Sequence, residues 1–379
     1  MPDTRAIRAF LEPRHLALAE RAVALAADIG RRTEPEDDAA ARKEARALVA
    51  LLGSGGWLQP VFDLDLRACC LMREALGEAS PLADAVFALQ GLGTTPVLLA
   101  GTPAQKERWL RPIARGEVMT AFAMTEPGAG SDVAAIATTA RSDGSEYVLE
   151  GGKTLISNAG IADLYVVFAS TDRTKGSKGI SAFLVPADTP GLRFTRAQVL
   201  SAPHPLGELA FEGCRVPAEA MLGAEGRGYG VGLAALDRLR PTVAAAACGM
   251  AGRALRESLA HVKQRTQFGE PLARFQLVQQ KLARMATELT AARLLTYRAA
   301  HEKDGGQERI TSEAAMAKSF ATEMAQRAVD DAVQLVGGLG VLAEHPVDRL
   351  YRAVRALRIY EGTTEIQQLI IAGELLKQG

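Results

Sequence analysis

The clearest indication of the fold is the run Leu164-Tyr165-Val166-Val167-Phe168, which is rich in residues that favour an extended backbone. Similar runs precede and follow it, namely Tyr147-Val148-Leu149-Glu150 and Ile180-Ser181-Ala182-Phe183-Leu184-Val185. Turns that contain glycine, aspartate or proline, such as Asp143-Gly144, separate the runs. We therefore predict a β unit that extends from about Val118 to about Leu222.

Both flanks of this β unit have apolar residues at helical spacing. On the N-terminal side, residues 16–26 and 41–52 each present one apolar face, and Thr102 precedes Pro103 as a helix cap does. On the C-terminal side, the helical segments are Gly232 to Ala260, Phe275 to Ala300, Ser312 to Val336 and Arg349 to Tyr360. The sequence therefore predicts a mainly α chain with an inserted β-barrel or β-sandwich domain and a C-terminal four-helix bundle. The expected domains are residues 1–117, 118–222 and 223–379.

Composition argues against several classes of partner. The 379 residues include 44 basic and 44 acidic side chains, so the formal net charge is zero. A balanced charge gives no global field to recruit nucleic acid or an anionic membrane, and only 5% of the residues are aromatic. We find no apolar run long enough to span a membrane, and the N-terminus lacks the apolar region of a signal peptide. We expect a cytoplasmic protein that binds neither nucleic acid nor membrane.

Cysteine and histidine give no indication of a metal site. The four cysteines have no metal-ligand spacing, and we expect buried thiols in a reducing compartment. They are Cys69, Cys70, Cys214 and Cys248. The five histidines form no cluster in the sequence. They are His15, His204, His261, His301 and His345. We therefore predict no metal ligand.

The strongest local motif is the loop Ala121-Phe122-Ala123-Met124-Thr125-Glu126-Pro127-Gly128-Ala129-Gly130-Ser131-Asp132. Its glycines permit close approach of the backbone to a ligand, and its hydroxyls and main-chain N–H groups can bind phosphate or ring heteroatoms. The spacing is neither that of a P-loop nor that of a G-x-G-x-x-G dinucleotide turn. On this chemistry alone, an ordinary glycine loop is an equal alternative.

A second motif surrounds Glu361, in the segment Ile359-Tyr360-Glu361-Gly362-Thr363-Thr364-Glu365-Ile366-Gln367. A glycine after a carboxylate leaves main-chain N–H groups approachable, and two threonines followed by a glutamate are typical of a helix start. Such a segment can place a general base beside an oxyanion-binding amide, as the removal of a proton next to a carbonyl requires. The alternative is an exposed helix-initiating turn, which is the more common case for such a segment in isolation.

Over essentially its whole length, the sequence resembles the acyl-CoA dehydrogenase family. Five segments carry the resemblance: residues 122–132, Gly152 to Asn158, Arg265 to Gly269 with Phe275-Gln276, Gln334 to Gly340, and Tyr360 to Thr363. The family has an N-terminal helical domain, a central β domain and a C-terminal four-helix domain, in the order that the sequence pattern predicts. The resemblance implies this fold and FAD as the cofactor.

The resemblance also assigns the contacts to FAD. The loop and the segment after it would contact the cofactor through Phe122, Met124, Thr125, Gly130, Ser131, Leu155 and Ser157. The ADP half would lie across a subunit interface, against Arg265, Phe268, Gln276, Gln334, Val336, Gly337 and Gly338. From the C-terminal helix, Thr363 and Glu365 would reach the cofactor. This pattern implies a homotetramer built from dimers.

The reaction that the resemblance implies is dehydrogenation of an acyl-CoA to a trans-2-enoyl-CoA. Glu361 would remove the α-proton while the β-hydrogen leaves as hydride to flavin N5. Some family members carry their glutamate on a different helix, at the position matched here by Leu239, and since leucine cannot act as a base we expect Glu361 to be the base. Substrate contacts would come from Ser131, Asp237, Arg240 and Gly362. The length and branching of the acyl chain are not indicated.

One departure from the family concerns the electron acceptor. The family usually has a tryptophan beside the flavin edge where this chain has Leu155, so coupling to electron-transferring flavoprotein is in question. The alternatives on this fold are an oxidase that uses oxygen and a dehydrogenase whose acyl group is bound to a carrier protein. A monooxygenase has no need of Glu361. A non-catalytic flavin- or acyl-binding scaffold is disfavoured because the base and the glycine loop are both present.

Overall fold

The computed structural model describes residues 4–377, so residues 1–3 and 378–379 of the predicted terminal domains lie outside the described residues. The N-terminal helices are α1 (Pro13–Ile29), α2 (Asp38–Ser54), α3 (Gln59–Phe62), α4 (Leu66–Ala79), α5 (Pro81–Ala100) and α6 (Pro103–Ala114). The strands that follow are β1 (Thr120–Ala123), β2 (Thr139–Asp143), β3 (Glu146–Ser157), β4 (Leu164–Ser170), β5 (Ile180–Pro186), β6 (Leu192–Ala197), β7 (Leu206–Pro217) and β8 (Met221–Leu222).

The C-terminal part returns to helix. Its elements are α7 (Gly228–Gln264), the short strands β9 (Thr266–Gln267) and β10 (Glu270–Pro271), α8 (Gln276–Asp304), α9 (Thr311–Val336), α10 (Pro346–Leu357) and α11 (Thr364–Leu376). The predicted fold class, a β domain inserted between helical parts, is confirmed. In three dimensions the described chain divides into two compact units. We call residues 4–34, 65–84 and 238–377 the helical unit, and residues 35–64 and 85–237 the sheet unit.

The core of the helical unit lies between α7, α8, α9 and α10. Many of its core residues are small, and Ala247, Ala292 and Ala325 are fully buried, so these helices can approach one another closely. All four cysteines are buried free thiols, as the sequence predicts. Burial raises the pKa of the Cys214 thiol to about 11, which leaves it unreactive at neutral pH.

The run Leu164 to Phe168 forms most of β4, which lies inside the sheet of the second unit. The strand order is β6-β7-β3-β2-β4-β5-β8, and β1 pairs in parallel with β4. Tyr165 and Val167 belong to one apolar cluster, whereas Val166 and Phe168 belong to another. Because successive strand residues face opposite sides of a sheet, β4 is buried on both faces, which explains why its sequence is continuously apolar.

Helix α5 contradicts one prediction. It has 20 residues with a mean hydropathy of 1.4 in its most apolar window, which by length and composition is enough to cross a membrane. The prediction that no apolar run reaches that length is therefore wrong. In that window, 72% of the residues are buried inside the protein, as in the core helix of a soluble domain. Pro81 begins this helix, and Pro96 lies inside it.

Candidate active site

Glu361 lies in the short connection between α10 and α11 of the helical unit. Its φ angle is +54°, a left-handed conformation that is uncommon for a residue with a side chain, and Gly362 follows at +90°. The Thr363 hydroxyl accepts a hydrogen bond from the N–H of Ile366 and so caps α11. The predicted helix start is therefore present, and the strained residue in it is the predicted base.

Three buried side chains hold the main chain of this turn. Lys318 Nζ donates to the Gly362 carbonyl at 2.6 Å, and Gln367 Nε2 donates to the same oxygen at 3.0 Å. The Glu361 carbonyl accepts from Gln367 Nε2 at 3.3 Å and from Arg240 Nε at 3.4 Å. Because α7, α9 and α11 each supply a donor, the left-handed conformation of Glu361 is fixed from several directions.

The Glu361 carboxyl group is desolvated. Its Oε2 atom is buried and accepts no hydrogen bond from residues 4–377. This burial raises the pKa of the carboxyl group, and the positive charges of Arg73, Lys318 and Arg240 partly oppose the shift. A carboxylate with a raised pKa and an oxygen without a hydrogen bond is suited to accept a proton from a bound molecule.

A buried ion pair contributes to this electrostatic environment. Arg73 of α4 donates to both carboxylate oxygens of Asp84 at 2.8 Å, and both side chains are only 2% exposed. The third nitrogen, Nη1, donates to the Thr242 hydroxyl at 3.0 Å. The bidentate geometry satisfies the guanidinium, so Arg73 acts on Glu361 through its charge at a distance.

In the sheet unit, the glycine loop is built around a second buried ion pair. Lys153 Nζ lies 2.6 Å from Glu126 Oε1 and donates to the Met124 carbonyl at 3.1 Å. The Glu126 carboxylate also accepts from the N–H groups of Ala137 and Thr138 at 2.5 and 3.1 Å. Burial raises the pKa of Glu126, but the Lys153 charge and these hydrogen bonds outweigh it and hold the pKa below its ordinary value. Glu126 therefore closes the loop and is not a candidate base.

The predicted cofactor residues of this loop divide into exposed and buried ones. Gly130 and Ser131 are exposed and Thr125 is half-buried, so these residues are accessible. The Met124 side chain is only 4% exposed and belongs to an apolar core cluster. The half-buried Phe122 ring lies 4.7 Å from that of Phe168, centroid to centroid. The predicted cofactor role of Met124 and Phe122 remains a prediction.

The end of β3 presents the two other predicted cofactor residues of the sheet unit. Leu155 is 55% exposed, with a φ angle of +55° and its N–H donated to Gln198 Oε1 at 2.8 Å. Ser157 Oγ lies 2.8 Å from His204 Nε2, a contact that the sequence did not predict. Since the Thr154 N–H donates to the Thr125 carbonyl at 3.0 Å, the structure brings the end of β3 and the glycine loop together.

The residues predicted to contact the ADP half lie at two places in the helical unit. Arg265 and Phe268 belong to the β9–β10 hairpin segment after α7, and Gln276 begins α8. Phe268 is 93% exposed, which is unusual for such a large apolar side chain. The other members surround the end of α9. Of these, Gln334, Gly337 and Gly338 are exposed, whereas Val336 is only 5% exposed and belongs to the core.

The predicted substrate residues belong to both compact units. Gly362 belongs to the turn that contains Glu361, and Arg240, which is only 7% exposed, donates to this turn from α7. Asp237 lies one helical turn before Arg240 on α7, and Ser131 is an exposed residue of the sheet unit. Glu365 is exposed, and hydrogen bonds from its own N–H and from Thr363 lower the pKa of its carboxyl group.

Sequence patterns did not indicate several of the residues described above. In the helical unit they are Arg73, Asp84, Lys318 and Gln367, and in the sheet unit the residue is His204. A charge inside a helical run is the signal that could have found Lys318, which lies among small or apolar neighbours, and Arg73, which follows a run of apolar residues. Among residues 4–377, no group of three or more His, Cys, Asp or Glu side chains could hold a metal ion.

Comparison with known proteins identifies the family. The N-terminal, middle and C-terminal domain models of acyl-CoA dehydrogenases match residues 13–117, 121–214 and 226–376. The 3-(aryl)acrylate reductase of Clostridium sporogenes is 44% identical over 316 residues, which cover 83% of this chain and 84% of the reductase. The mitochondrial short-chain specific acyl-CoA dehydrogenase of Bos taurus is 46% identical over 317 residues, which cover 83% of this chain and 77% of the relative.

A solved structure agrees with these matches. Butyryl-CoA dehydrogenase from Megasphaera elsdenii superimposes with a TM-score of 0.87 at 34% identity, over 95% of this chain and 98% of that one. The fold and these relatives define an oxidoreductase that acts on CH–CH groups. The chain belongs to the acyl-CoA dehydrogenase family.

Proposed function

We propose that this protein is a FAD-dependent dehydrogenase that converts an acyl-CoA to its trans-2-enoyl-CoA, with Glu361 as the base. One observation carries the proposal: Glu361 Oε2 is buried without a hydrogen bond from residues 4–377, in a turn whose main chain three side chains hold. A surface turn that only starts a helix needs neither feature.

The residues of this chain suit FAD as the cofactor. A Cβ atom placed on Gly128 or Gly130 would meet no heavy atom within 4 Å, so a ligand can approach the main chain of the loop. Thr125, Ser131 and Ser157 supply hydroxyl groups that can donate to ring heteroatoms or phosphate oxygens. Membership of the acyl-CoA dehydrogenase family supports the same cofactor. When bound, FAD accepts the β-hydrogen of the substrate as hydride.

Proton removal is the task of Glu361. The α-proton of a thioester is far too weakly acidic for a solvated carboxylate, so the base must be desolvated and the developing enolate oxygen stabilised. Burial of Glu361 meets the first requirement by raising its pKa. The resemblance assigns the second to the Glu361 N–H, and a donor of this kind contributes about 3–4 kcal/mol to the transition state. Lys318, Arg240 and Gln367 hold the carbonyl groups of Glu361 and Gly362, which are the main chain directly after this N–H.

The same residues also serve the reverse reaction. The Clostridium sporogenes relative is named a 3-(aryl)acrylate reductase, so the relatives of this chain include a protein named for reduction of a carbon–carbon double bond. By microscopic reversibility, a protonated Glu361 would then donate the α-proton. Our first proposal is the oxidative direction, which the names of the bovine and Megasphaera relatives support.

The quaternary structure that we propose is a homotetramer. Two large apolar side chains of the helical unit support association, since Phe268 is 93% and Leu277 is 77% exposed. Sedimentation velocity of the FAD-loaded protein tests this part of the proposal, and a monomer at micromolar concentration would contradict it.

The experiment that tests the function is anaerobic reduction of the bound flavin. The purified, FAD-loaded protein is mixed with straight, branched and aryl-substituted acyl-CoAs of graded length, and the visible flavin absorbance is followed. At least one acyl-CoA should bleach the flavin, and the product should be its trans-2-enoyl-CoA. If every acyl-CoA leaves the flavin oxidised, the proposal is wrong.

Two controls separate the alternatives that share this fold. Oxygen consumption with the best acyl-CoA would identify an oxidase, because a dehydrogenase transfers its electrons to another acceptor. The same acyl group on an acyl carrier protein tests the identity of the carrier. A protein that purifies without FAD and does not bind it would favour a scaffold.

A further inference from the structure

No sequence pattern marks His204 as a functional histidine. It belongs to the connection between β6 and β7, and its Nε2 atom is 2.8 Å from Ser157 Oγ at the end of β3. Ser157 is the hydroxyl that the family resemblance places against the flavin ring. His204 is therefore one hydrogen bond away from a predicted cofactor contact.

Hydrogen bonds hold the two chain segments that carry this pair. Arg42 of α2 donates to the main-chain carbonyls of Ala159 and Leu206 at 2.6 and 2.8 Å. These two residues flank the pair, since Ala159 follows Ser157 by two positions and Leu206 follows His204 by two. Asn158 also donates from Nδ2 to the Thr120 carbonyl at 2.9 Å. Contacts next to Ser157 and next to His204 therefore support the approach of Oγ and Nε2.

The charged groups that face His204 are Arg42 and Asp38. Desolvation and the Arg42 charge lower the pKa of His204 to about 4, and Asp38 opposes this change. Asp38 itself pairs with Arg42, whose Nε donates to Oδ2 at 2.6 Å. His204 is therefore neutral near pH 7, with one ring nitrogen that donates and one that accepts.

A neutral imidazole can serve a serine hydroxyl in two ways. If Nε2 carries the proton, it donates to Oγ and leaves the serine proton for an acceptor on a ligand. If Nε2 is unprotonated, it accepts the serine proton and leaves the Oγ lone pairs for a ligand donor. An oxidised flavin ring offers acceptor nitrogens, whereas a reduced ring also carries a donor N–H.

We propose that His204 is a positioning residue that sets the direction of the Ser157 hydroxyl towards the flavin ring and allows that direction to reverse when the ring is reduced. This inference rests on the proposed function, because it requires bound FAD. Without His204, the hydroxyl loses its partner, and its stabilisation of the oxidised ring relative to the reduced ring changes. The flavin midpoint potential then changes, together with the resolution of its visible absorption bands.

The test uses the FAD-loaded protein and a set of variants. His204→Leu removes the partner, His204→Gln keeps a side chain that can donate and accept, and Ser157→Ala removes the hydroxyl. We expect His204→Leu and Ser157→Ala each to change the ratio between the affinities for oxidised and for reduced FAD about tenfold. This change corresponds to about 30 mV in the midpoint potential of a two-electron couple. The midpoint potential of the His204→Gln protein should stay close to that of the parent. The same holds for the control His261→Leu on α7.

A double variant distinguishes positioning from a separate effect. If His204 acts through Ser157, the Ser157→Ala/His204→Leu protein should have the potential of Ser157→Ala alone, because coupled residues are not additive. Fully additive shifts, or an unchanged potential and spectrum in His204→Leu, would overturn the inference while the proposed function stands. A parent protein that binds no FAD would overturn the proposed function and the inference with it. FAD content and circular dichroism show whether each variant is folded.

Discussion

Lys318 Nζ donates to the main-chain carbonyl of Gly362 at 2.6 Å from a side chain that is completely buried. Burial lowers the pKa of this lysine to about 8, and the negative charge of Glu361 opposes the change. Burial of an isolated ammonium group costs desolvation free energy, and the partners of Lys318 offset this cost. The contact connects the electrostatics of the base with the conformation of its turn.

The first prediction concerns Lys318→Met. The ionised form of Glu361 is the base, so the rate of flavin reduction should rise with pH through the pKa of Glu361. Loss of the lysine charge removes a stabilising partner of the carboxylate and raises that pKa further. The rising limb of the rate profile should therefore move to higher pH, and the plateau should lie below that of the parent, because methionine cannot donate to the Gly362 carbonyl.

Stopped-flow measurement of anaerobic flavin reduction at saturating acyl-CoA gives the profile. The matched control is Lys263→Met, an exposed lysine near the end of α7. If the rate of flavin reduction rises over the same pH range in Lys318→Met as in the parent, this lysine does not act on the base.

The second prediction concerns the base itself. Glu361→Gln keeps the shape of the side chain and the main-chain turn but removes the proton acceptor. Flavin reduction by acyl-CoA should fall more than about a thousandfold, while FAD content stays at the parent level. Glu374→Gln, on the helix α11 that follows Glu361, is the control for loss of a carboxylate. Normal reduction in the Glu361→Gln protein would mean that another group removes the proton.

The sequence predicts the parts of the site that are local in the chain. The apolar residues of the β4 run predict the strand, and Gly362 and Thr363 predict the turn at Glu361. Both patterns depend only on neighbouring residues. The family resemblance adds FAD and the glycine loop. The sequence did not predict that Glu361 would adopt a left-handed conformation, since this depends on Lys318, more than forty positions earlier.

Contacts between distant positions account for what the sequence could not predict. Arg73 is satisfied by Asp84 and by Thr242, which lies 169 positions away. His204 meets Ser157 across 47 positions, through a connection with no repeated pattern. Helical spacing shows which face of a helix is apolar, but it does not show which charge a buried guanidinium or ammonium group will find.

The third prediction concerns the stability of the helical unit. Asp84→Asn leaves the Arg73 charge buried without its counterion, and breaking a buried pair in this way costs about 3–5 kcal/mol in the free energy of unfolding. Urea denaturation followed by circular dichroism measures the loss of unfolding free energy.

The double variant Arg73→Met/Asp84→Leu should recover most of this loss, because apolar replacement of both partners removes the uncompensated charge. The control is Asp28→Asn, whose ion pair with Arg31 is exposed. Equal stability of Asp84→Asn and the parent would contradict the account of this pair.

The fourth prediction concerns the glycine loop. Glu126→Gln weakens the contact with Lys153 and the hydrogen bonds from the N–H groups of Ala137 and Thr138. The loop should become more mobile, and FAD should bind about tenfold or more weakly, since a loss of about 1.4 kcal/mol in binding is tenfold in affinity. Asp132→Asn, at the exposed end of the same loop, should bind FAD normally. Isothermal titration of the apoprotein with FAD measures the affinity of both variants for FAD. Unchanged affinity in Glu126→Gln would mean that the loop is not part of the cofactor site.

The last prediction concerns the electron acceptor. Leu155 is 55% exposed at the end of β3, in a left-handed conformation that the Gln198 side chain holds through the Leu155 N–H. A tryptophan at this position would present a large π surface where leucine presents none. We expect the reduced Leu155→Trp protein to be reoxidised faster by electron-transferring flavoprotein than the parent, with no change in the rate of reduction by acyl-CoA. Leu155→Met is the control for a side chain of similar size, and it should behave as the parent does. Equal reoxidation rates in the tryptophan variant and the parent would show that Leu155 does not limit electron transfer to this acceptor.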